Sequence, residues 1–378
     1  MKIANIVCAW PPYAGGMGNS AKLISDIIAN EHQVENFYPE NMKNLLKRGH
    51  GAFSPNLLFK LKEFDYIYLH YPFFGTNEIV YLFKLFNKKT KLIIHYHMDV
   101  LNTGFLEKTL SITSRLIRNS LFKKADKIVC SSFDYLENSD ISHLYQKYPD
   151  KFIEIPFGID LDIFKPKNTN SQAKNNIIAK AQDIVKYINN NIIKKNKVDL
   201  IFVGGLDKAH YFKGIDILLE ALSFLREKPW RLTIVGEGDL KENYKLQAYQ
   251  LGLDKKVDFA GKLSNEQLIN SYQNSDLLIL PSINKNEAFG IVLIEAMANS
   301  TAVIASDLKG VSQVFSDNCG LKVIPGSIID LKNKIESLIN NPKTIQNFKK
   351  EAFYLAQKRY LAKNIKEEWL NTLNEEDK

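Results

Sequence analysis

The chain has 378 residues, 45% of them hydrophobic, which is more than one core uses and points to two domains. Its formal net charge of +8 favours anionic partners such as phosphate groups or an acidic membrane surface. Its lysines are dispersed rather than gathered with aromatics, which speaks against nucleic acid, and no apolar run is long enough to span a bilayer. The first ten residues, MKIANIVCAW, are too short an apolar run for a signal peptide, so the expectation is a cytoplasmic protein. Cys8, Cys130 and Cys319 are odd in number and far apart, which predicts reduced, buried thiols rather than a zinc or redox site.

Taken in chain order, residues 2–9 read as a strand that breaks at Trp10-Pro11-Pro12, and helical spacing resumes from Ser20 to Ala29. YIYLHYP (66–72) and KLIIHYH (91–97) are buried strands with a helix between them at 77–88. A helical stretch at 106–122 leads to the strand ADKIVCSS (125–132). Strands alternating with helices imply a parallel sheet wound on both faces. After IPFGIDLDIFKP (155–166) comes an Asn- and Lys-rich linker with one surface helix, 167–197. A second series runs through VDLIFVGG (198–205), WRLTIVGEG (230–238), KVDFAGK (256–262), SDLLILPS (275–282) and TAVIAS (301–306). The expected domains are therefore 1–166 and 198–354. The tail at 331–373 is helical by spacing, and its end from 355 either completes the second sheet or packs back on the first domain.

Ligands of doubly wound sheets bind beyond the carboxyl ends of the strands, so the residues following each strand carry the chemistry. The loop containing Gly15, Gly16 and Gly18 follows the first strand and precedes a helix, an arrangement suited to phosphate, although a tight turn would look the same. It is not a G-x-G-x-x-G fingerprint, and no ribose-binding acid follows about 20 residues on, which argues against an NAD-linked oxidoreductase. His95 and His97 share one side of their strand with Asp99 nearby, and they are read as substrate hydrogen-bonding or structural groups. The seven histidines show no cluster of the kind a metal site requires, and none is expected.

In VGGLDKAHYFKGID (203–216), Lys213 stands just before an apolar helix, where a lone cation would oppose the helix dipole. A bound anion resolves that conflict, so Lys213 is the first-choice phosphate ligand. Glu287 and Glu295 bracket a loop-to-helix junction whose amides, at Phe289, Gly290, Ile291 and Val292, suit a phosphate, while the carboxylates suit hydroxyls. The plainer alternative makes Glu287 a helix cap and Glu295 an exposed helix residue.

These residues, E-x7-E at 287–295, FVGGLDKAHYFKGID, VGEGDL at 235–240, FGIDLDIFKP at 157–166 and HYHMD at 95–99, resemble the retaining family 4 glycosyltransferases, also called glycosyl transferases group 1. The resemblance covers nearly the whole chain and implies the GT-B fold, two facing Rossmann-like domains with the active site in the cleft between them. It implies transfer of a sugar from a nucleotide-diphosphate donor to a glycan or lipid-linked acceptor with retention of configuration, in bacterial surface polysaccharide or lipopolysaccharide assembly. By the same resemblance Glu287 would hold the donor sugar and Glu295 the ribose. Lys213, Gly16 and the amides near Gly290 would hold the phosphates, and His97 would face the reacting sugar. Many relatives carry an arginine where this chain has Gly205, so Lys208 or His210 is expected to supply the missing charge. No Asp-x-Asp pair closes a strand, so neither metal nor other cofactor is expected. The rival readings are a nucleotide-sugar 2-epimerase and an inactive sugar-binding relative. A mixed apolar and basic stretch, Phe105–Lys127, suggests peripheral contact with an anionic membrane; an ordinary helix on the sheet is the alternative.

Overall fold

A computed structural model describes residues 1–11, 15–48, 51–99, 117–159 and 196–374. It divides into two units, Met1–Gly158 with Ala362–Lys378, and Ile159–Leu361.

The first unit is built on β1 (Lys2–Ile6), β2 (Gln33–Phe37), a short hairpin of β3 (Leu46–Arg48) and β4 (Gly51–Phe53), β5 (Tyr66–Tyr71), β6 (Lys91–Tyr96), β7 (Lys127–Cys130) and β8 (Phe152–Glu154). Six of these form one sheet in the order β2-β1-β5-β6-β7-β8, every pair parallel. β5 is buried at all six positions and β6 at five of its six, which is why both read as continuous apolar runs rather than alternating ones. β2 and β8 escape the sequence reading because they end the sheet: in QVENF only Phe37 is buried. The register sets His70 beside His95 and Asn5 beside Tyr68, so the polar residues of three neighbouring strands gather at the carboxyl end.

The second unit repeats the plan with β9 (Val198–Val203), β10 (Trp230–Val235), β11 (Val257–Gly261), β12 (Leu277–Leu280), β13 (Ala302–Ser306) and β14 (Gly320–Val323), again all parallel, in the order β11-β10-β9-β12-β13-β14. Its core runs from Leu200 and Phe202 of β9 through Leu218 and Leu222 of the helix Ile215–Ser223 to Ile335 of the helix Ile328–Ile339.

The helical tail separates into three pieces. Asn341 caps the helix Pro342–Arg359, with Pro342 at its first turn, where the missing N–H has no intrahelical partner to lose. The last helix, Ala362–Asn374, belongs to the first unit, where Trp369 is buried and meets Tyr68 edge to face at 5.4 Å. The expected linker helix lies outside the described residues up to 195, as does the stretch Phe105–Lys127 up to residue 116. Within its described part, Arg118 is buried against Asp140 at 3.4 Å rather than facing water or lipid, which removes it from the basic surface expected there. All three cysteines are unpaired; Cys130 and Cys319 are buried as expected, but Cys8 is only partly so, its Sγ 3.2 Å from Met17 Sδ. Among the described residues no helix is long and apolar enough to cross a membrane.

Candidate active site

In the second unit, the loops after β9 and β12 converge through their glycines. Gly214 has φ +71, and a Cβ there would lie 2.2 Å from the Pro281 carbonyl oxygen, so only glycine lets the start of the helix Ile215–Ser223 dock against the end of β12. The Ile283 N–H donates to the Phe212 carbonyl at 2.8 Å and ties the loops together. Lys213 is thereby delivered to Glu287, 74 residues away: its Nζ donates to Glu287 Oε2 at 2.8 Å, and Ser282 Oγ donates to the same oxygen at 3.0 Å. The two charged side chains are 13% and 10% exposed, enclosed enough to interact strongly yet open to a ligand. An anion does stand against the lysine, the Glu287 carboxylate. Glu287 is therefore not a helix cap. Ser282 carries no sequence signal beyond following a strand.

The two strand-ending glycines make room for side chains. A Cβ on Gly204 would meet Lys213 Cδ at 2.6 Å, and one on Gly205 would meet His210 Nδ1 at 2.6 Å. The His210 ring therefore lies over Gly205, held by Asp207, whose oxygens stand 2.8 and 2.9 Å from Nδ1 and which also accepts from the 209 and 210 amides. Lys208 is largely exposed, its Nζ 3.9 Å from Asp239. Of the two candidates for the missing charge, His210 is the one placed against Gly205.

Gly290, at φ +80, forms the N-terminal boundary of the helix Ile291–Ala298, and no side chain caps it. The first-turn amides of such a helix have no intrahelical acceptor, so Ile291 and Val292 present donors beside buried Phe289. Glu295 lies one turn on. It is half-buried rather than an exposed helix residue, and the buried Tyr272 hydroxyl donates to its Oε2 at 2.9 Å. The protein atoms packed around this carboxyl group raise its pKa above the usual glutamate range, a rise opposed by the Tyr272 hydrogen bond.

In the first unit, Gly15 and Gly16 open the helix Gly16–Ile28, which likewise has no side-chain cap and no acidic residue in its first turn. His97, just past β6, is buried with its Nε2 2.7 Å from His70 Nδ1, and His70 Nε2 is 3.0 Å from Asn5 Oδ1. His95 stacks on His97 with centroids 4.1 Å apart, which confirms that the two share a side of the strand. Asp99 is buried but turned to other partners, accepting from the Tyr96 hydroxyl and the Asp140 amide. The expectation that the histidines do not cluster is overturned: His70, His95 and His97 bring ligand atoms within 4.8 Å of one another, because parallel register sets strands β5 and β6 side by side. The 2.7 Å separation of His70 and His97 is shorter than the roughly 3.3 Å between two nitrogens on one tetrahedral zinc, so that pair is hydrogen-bonded rather than arranged to share an ion.

Two parallel, doubly wound six-stranded units define an α/β protein with the GT-B fold. The structure of Alr3699/HepE from Anabaena in complex with UDP matches it with a TM-score of 0.72 at 19% identity, over 99% of this chain and 100% of that one. Residues 183–353, somewhat under half of the chain, match the family described as glycosyl transferases group 1. It is similar to the D-rhamnosyltransferase WbpZ of Pseudomonas aeruginosa, 26% identical over 77% of this chain and 68% of that protein. It is also 25% identical to the O-antigen chain mannosyltransferase C of Escherichia coli, over 87% of this chain and 81% of that one.

Proposed function

We propose that the enzyme transfers a hexose from a nucleotide-diphosphate donor to a glycan or lipid-linked acceptor, with retention of configuration, in the assembly of a bacterial surface polysaccharide or lipopolysaccharide. The observation that carries the reading is the Lys213–Glu287–Ser282 group beside the uncapped helix at Gly290, a cation and amide donors for a diphosphate next to a carboxylate for sugar hydroxyls. A related O-antigen mannosyltransferase and a UDP-bound structure of the same fold support the pathway and the donor class.

When the donor binds, its diphosphate draws Lys213 away from Glu287, and the freed carboxylate accepts from the sugar. Glu295 accepts from the ribose hydroxyls, and His97 hydrogen-bonds the sugar that is transferred. The bond from the anomeric carbon to the leaving phosphate oxygen breaks, the acceptor hydroxyl oxygen forms the new bond on the same face, and its proton passes to the departing phosphate. Negative charge grows on the diphosphate as that bond breaks, where Lys213 and the helix amides oppose it. No resident metal enters this scheme. The net charge of +8 would favour a peripheral position on an anionic membrane, where lipid-linked acceptors lie.

The test is a thermal-shift screen of nucleotide sugars, followed by product analysis with and without acceptor and NMR of the new linkage. A donor that stabilises the protein and a product with the donor's anomeric configuration are expected. Inversion would end the mechanistic reading, and conversion of donor alone to its 2-epimer would end the transfer reading.

A further inference from the structure

In the first unit, His97 stands at the end of a chain of polar groups whose other members the proposed reaction does not use. Asn36, Asn5, His70 and His97 lie on or beside β2, β1, β5 and β6, four adjacent strands of the sheet. Asn5, His70 and His97 are all buried. A neutral imidazole carries one N–H and one lone pair, and the partner of one nitrogen dictates the state of the other.

The hydrogen bonds can be followed from one end. Asn5 Nδ2 donates to Asn36 Oδ1 at 2.7 Å, which turns Asn5 Oδ1 toward His70 Nε2 at 3.0 Å. A carbonyl oxygen only accepts, so the His70 proton sits on Nε2 and its Nδ1 holds the lone pair. His97 Nε2, 2.7 Å from that lone pair, must then be the donor, and the remaining lone pair of His97 lies on Nδ1. Both rings are kept neutral by their surroundings: burial holds His97 down to about 3 and His70 well below its usual range, and a charge on His97 would further disfavour one on His70. The ring plane of His97 is fixed by stacking, on His95 at 4.1 Å and on Phe157 at 5.4 Å between centroids.

We propose that Asn5 and His70 are positioning residues that lock His97 as the neutral Nε2–H tautomer, so that its Nδ1 is a fixed hydrogen-bond acceptor for a hydroxyl of the transferred sugar. This rests on the reading of His97 as a sugar-contacting residue. The arrangement has a chemical purpose. Positive charge develops on the sugar ring as the glycosidic bond breaks, and a neutral acceptor held in place tolerates it where an imidazolium would repel it. The opposite polarity, with both asparagine amides turned over, would make His97 Nδ1 a donor, so the two arrangements make opposite predictions.

The experiment is a long-range proton–nitrogen correlation spectrum of the full chain labelled with [15N]histidine at pH 7, the His97 signals being assigned by their loss in His97→Asn. Neutral His97 protonated at Nε2 is the expected result. Protonation at Nδ1 alone, or an imidazolium, overturns the proposal, and the wild-type spectrum decides this whether or not any variant folds. His70→Leu removes the acceptor and should abolish the single-tautomer signature and lower kcat about tenfold or more, with KM for the donor little changed. His70→Gln, which keeps an acceptor oxygen, should restore most of both. Wild-type turnover in a folded His70→Leu with a mixed tautomer would overturn the positioning role. The expected tautomer combined with full activity in His97→Asn would instead overturn the sugar-contacting role on which the proposal rests.

Discussion

At the scale of single residues, the site sets its cation on its own carboxylate. Lys213 and Glu287 are mutual partners at 2.8 Å, so binding a diphosphate exchanges one anion for another and gains little in the ground state. The gain comes as negative charge accumulates on the leaving phosphate, so Lys213→Ala should lower kcat by about two orders of magnitude, with a lesser effect on KM for the donor. A raised KM with unchanged kcat in steady-state kinetics would make Lys213 a uniform binding group. His210, over Gly205, should show a smaller loss of the same kind in His210→Ala. Gly205→Ala, which drives a methyl to within 2.6 Å of that ring, should reproduce it, whereas Lys208→Ala at an exposed position should not. Glu295 tests electrostatics in stability. Its folded-state pKa is raised, so the stability it confers is complete below the unfolded value and is lost as pH rises through the folded one. Glu295→Gln cannot ionise and escapes that loss, so its melting temperature relative to wild type should climb as pH rises above about 4. Parallel curves across that range would contradict the raised pKa. The same variant should lose most transfer activity, since an amide accepts at only one atom where the carboxylate accepts at two.

At the scale of elements, the site depends on helix starts set at left-handed glycines. Gly214 and Gly252 share nearly the same backbone, φ +71 and +70, but an added Cβ at Gly214 meets the Pro281 carbonyl oxygen at 2.2 Å and at Gly252 meets nothing within 4 Å. Gly252→Ala should therefore cost only the left-handed strain of roughly 1–2 kcal/mol. Gly214→Ala adds an overpacking cost of about 1–3 kcal/mol, because the clash is with backbone that has no other place to go. Urea unfolding of both variants reads the difference, and equal midpoints would show that the helix Ile215–Ser223 does not depend on that close approach. If it does, Gly214→Ala should also weaken turnover, because the helix start carries Lys213 with it.

At the scale of the whole molecule, the chain ends by returning to the unit in which it began. Trp369 of the last helix packs on Tyr68 and beside His95, within a cluster that includes Ile3, Ile24 and Ile93. Trp369→Ala should cost about 3–5 kcal/mol. The loss should fall on the first unit, since each unit has its own core and unfolding need not be two-state. Calorimetry should show one transition lowered and the other unmoved. A uniform shift of both would indicate cooperative unfolding of the two units.

Sequence periodicity and strand ends alone pointed to the two doubly wound units, nearly all their buried strands, and Lys213, Glu287, Glu295 and the pair His95 and His97 as residues to examine, while the preference for His97 came from the family resemblance. Those features are local, being carried by side-chain burial along one element or by a loop just after it. The short end strands β2 and β8 were illegible because half-exposed residues leave no run or alternation to detect. Which residues meet was decided only by the tertiary structure. Lys213 and Glu287 are 74 positions apart, His70 and His97 are 27 apart, and Tyr272 reaches Glu295 across 23. Sequence spacing records none of these distances; strand order, parallel register and the close approach at Gly214 set all of them, which is why His70, Asn5, Ser282 and Tyr272 emerged only once the sheets were assembled.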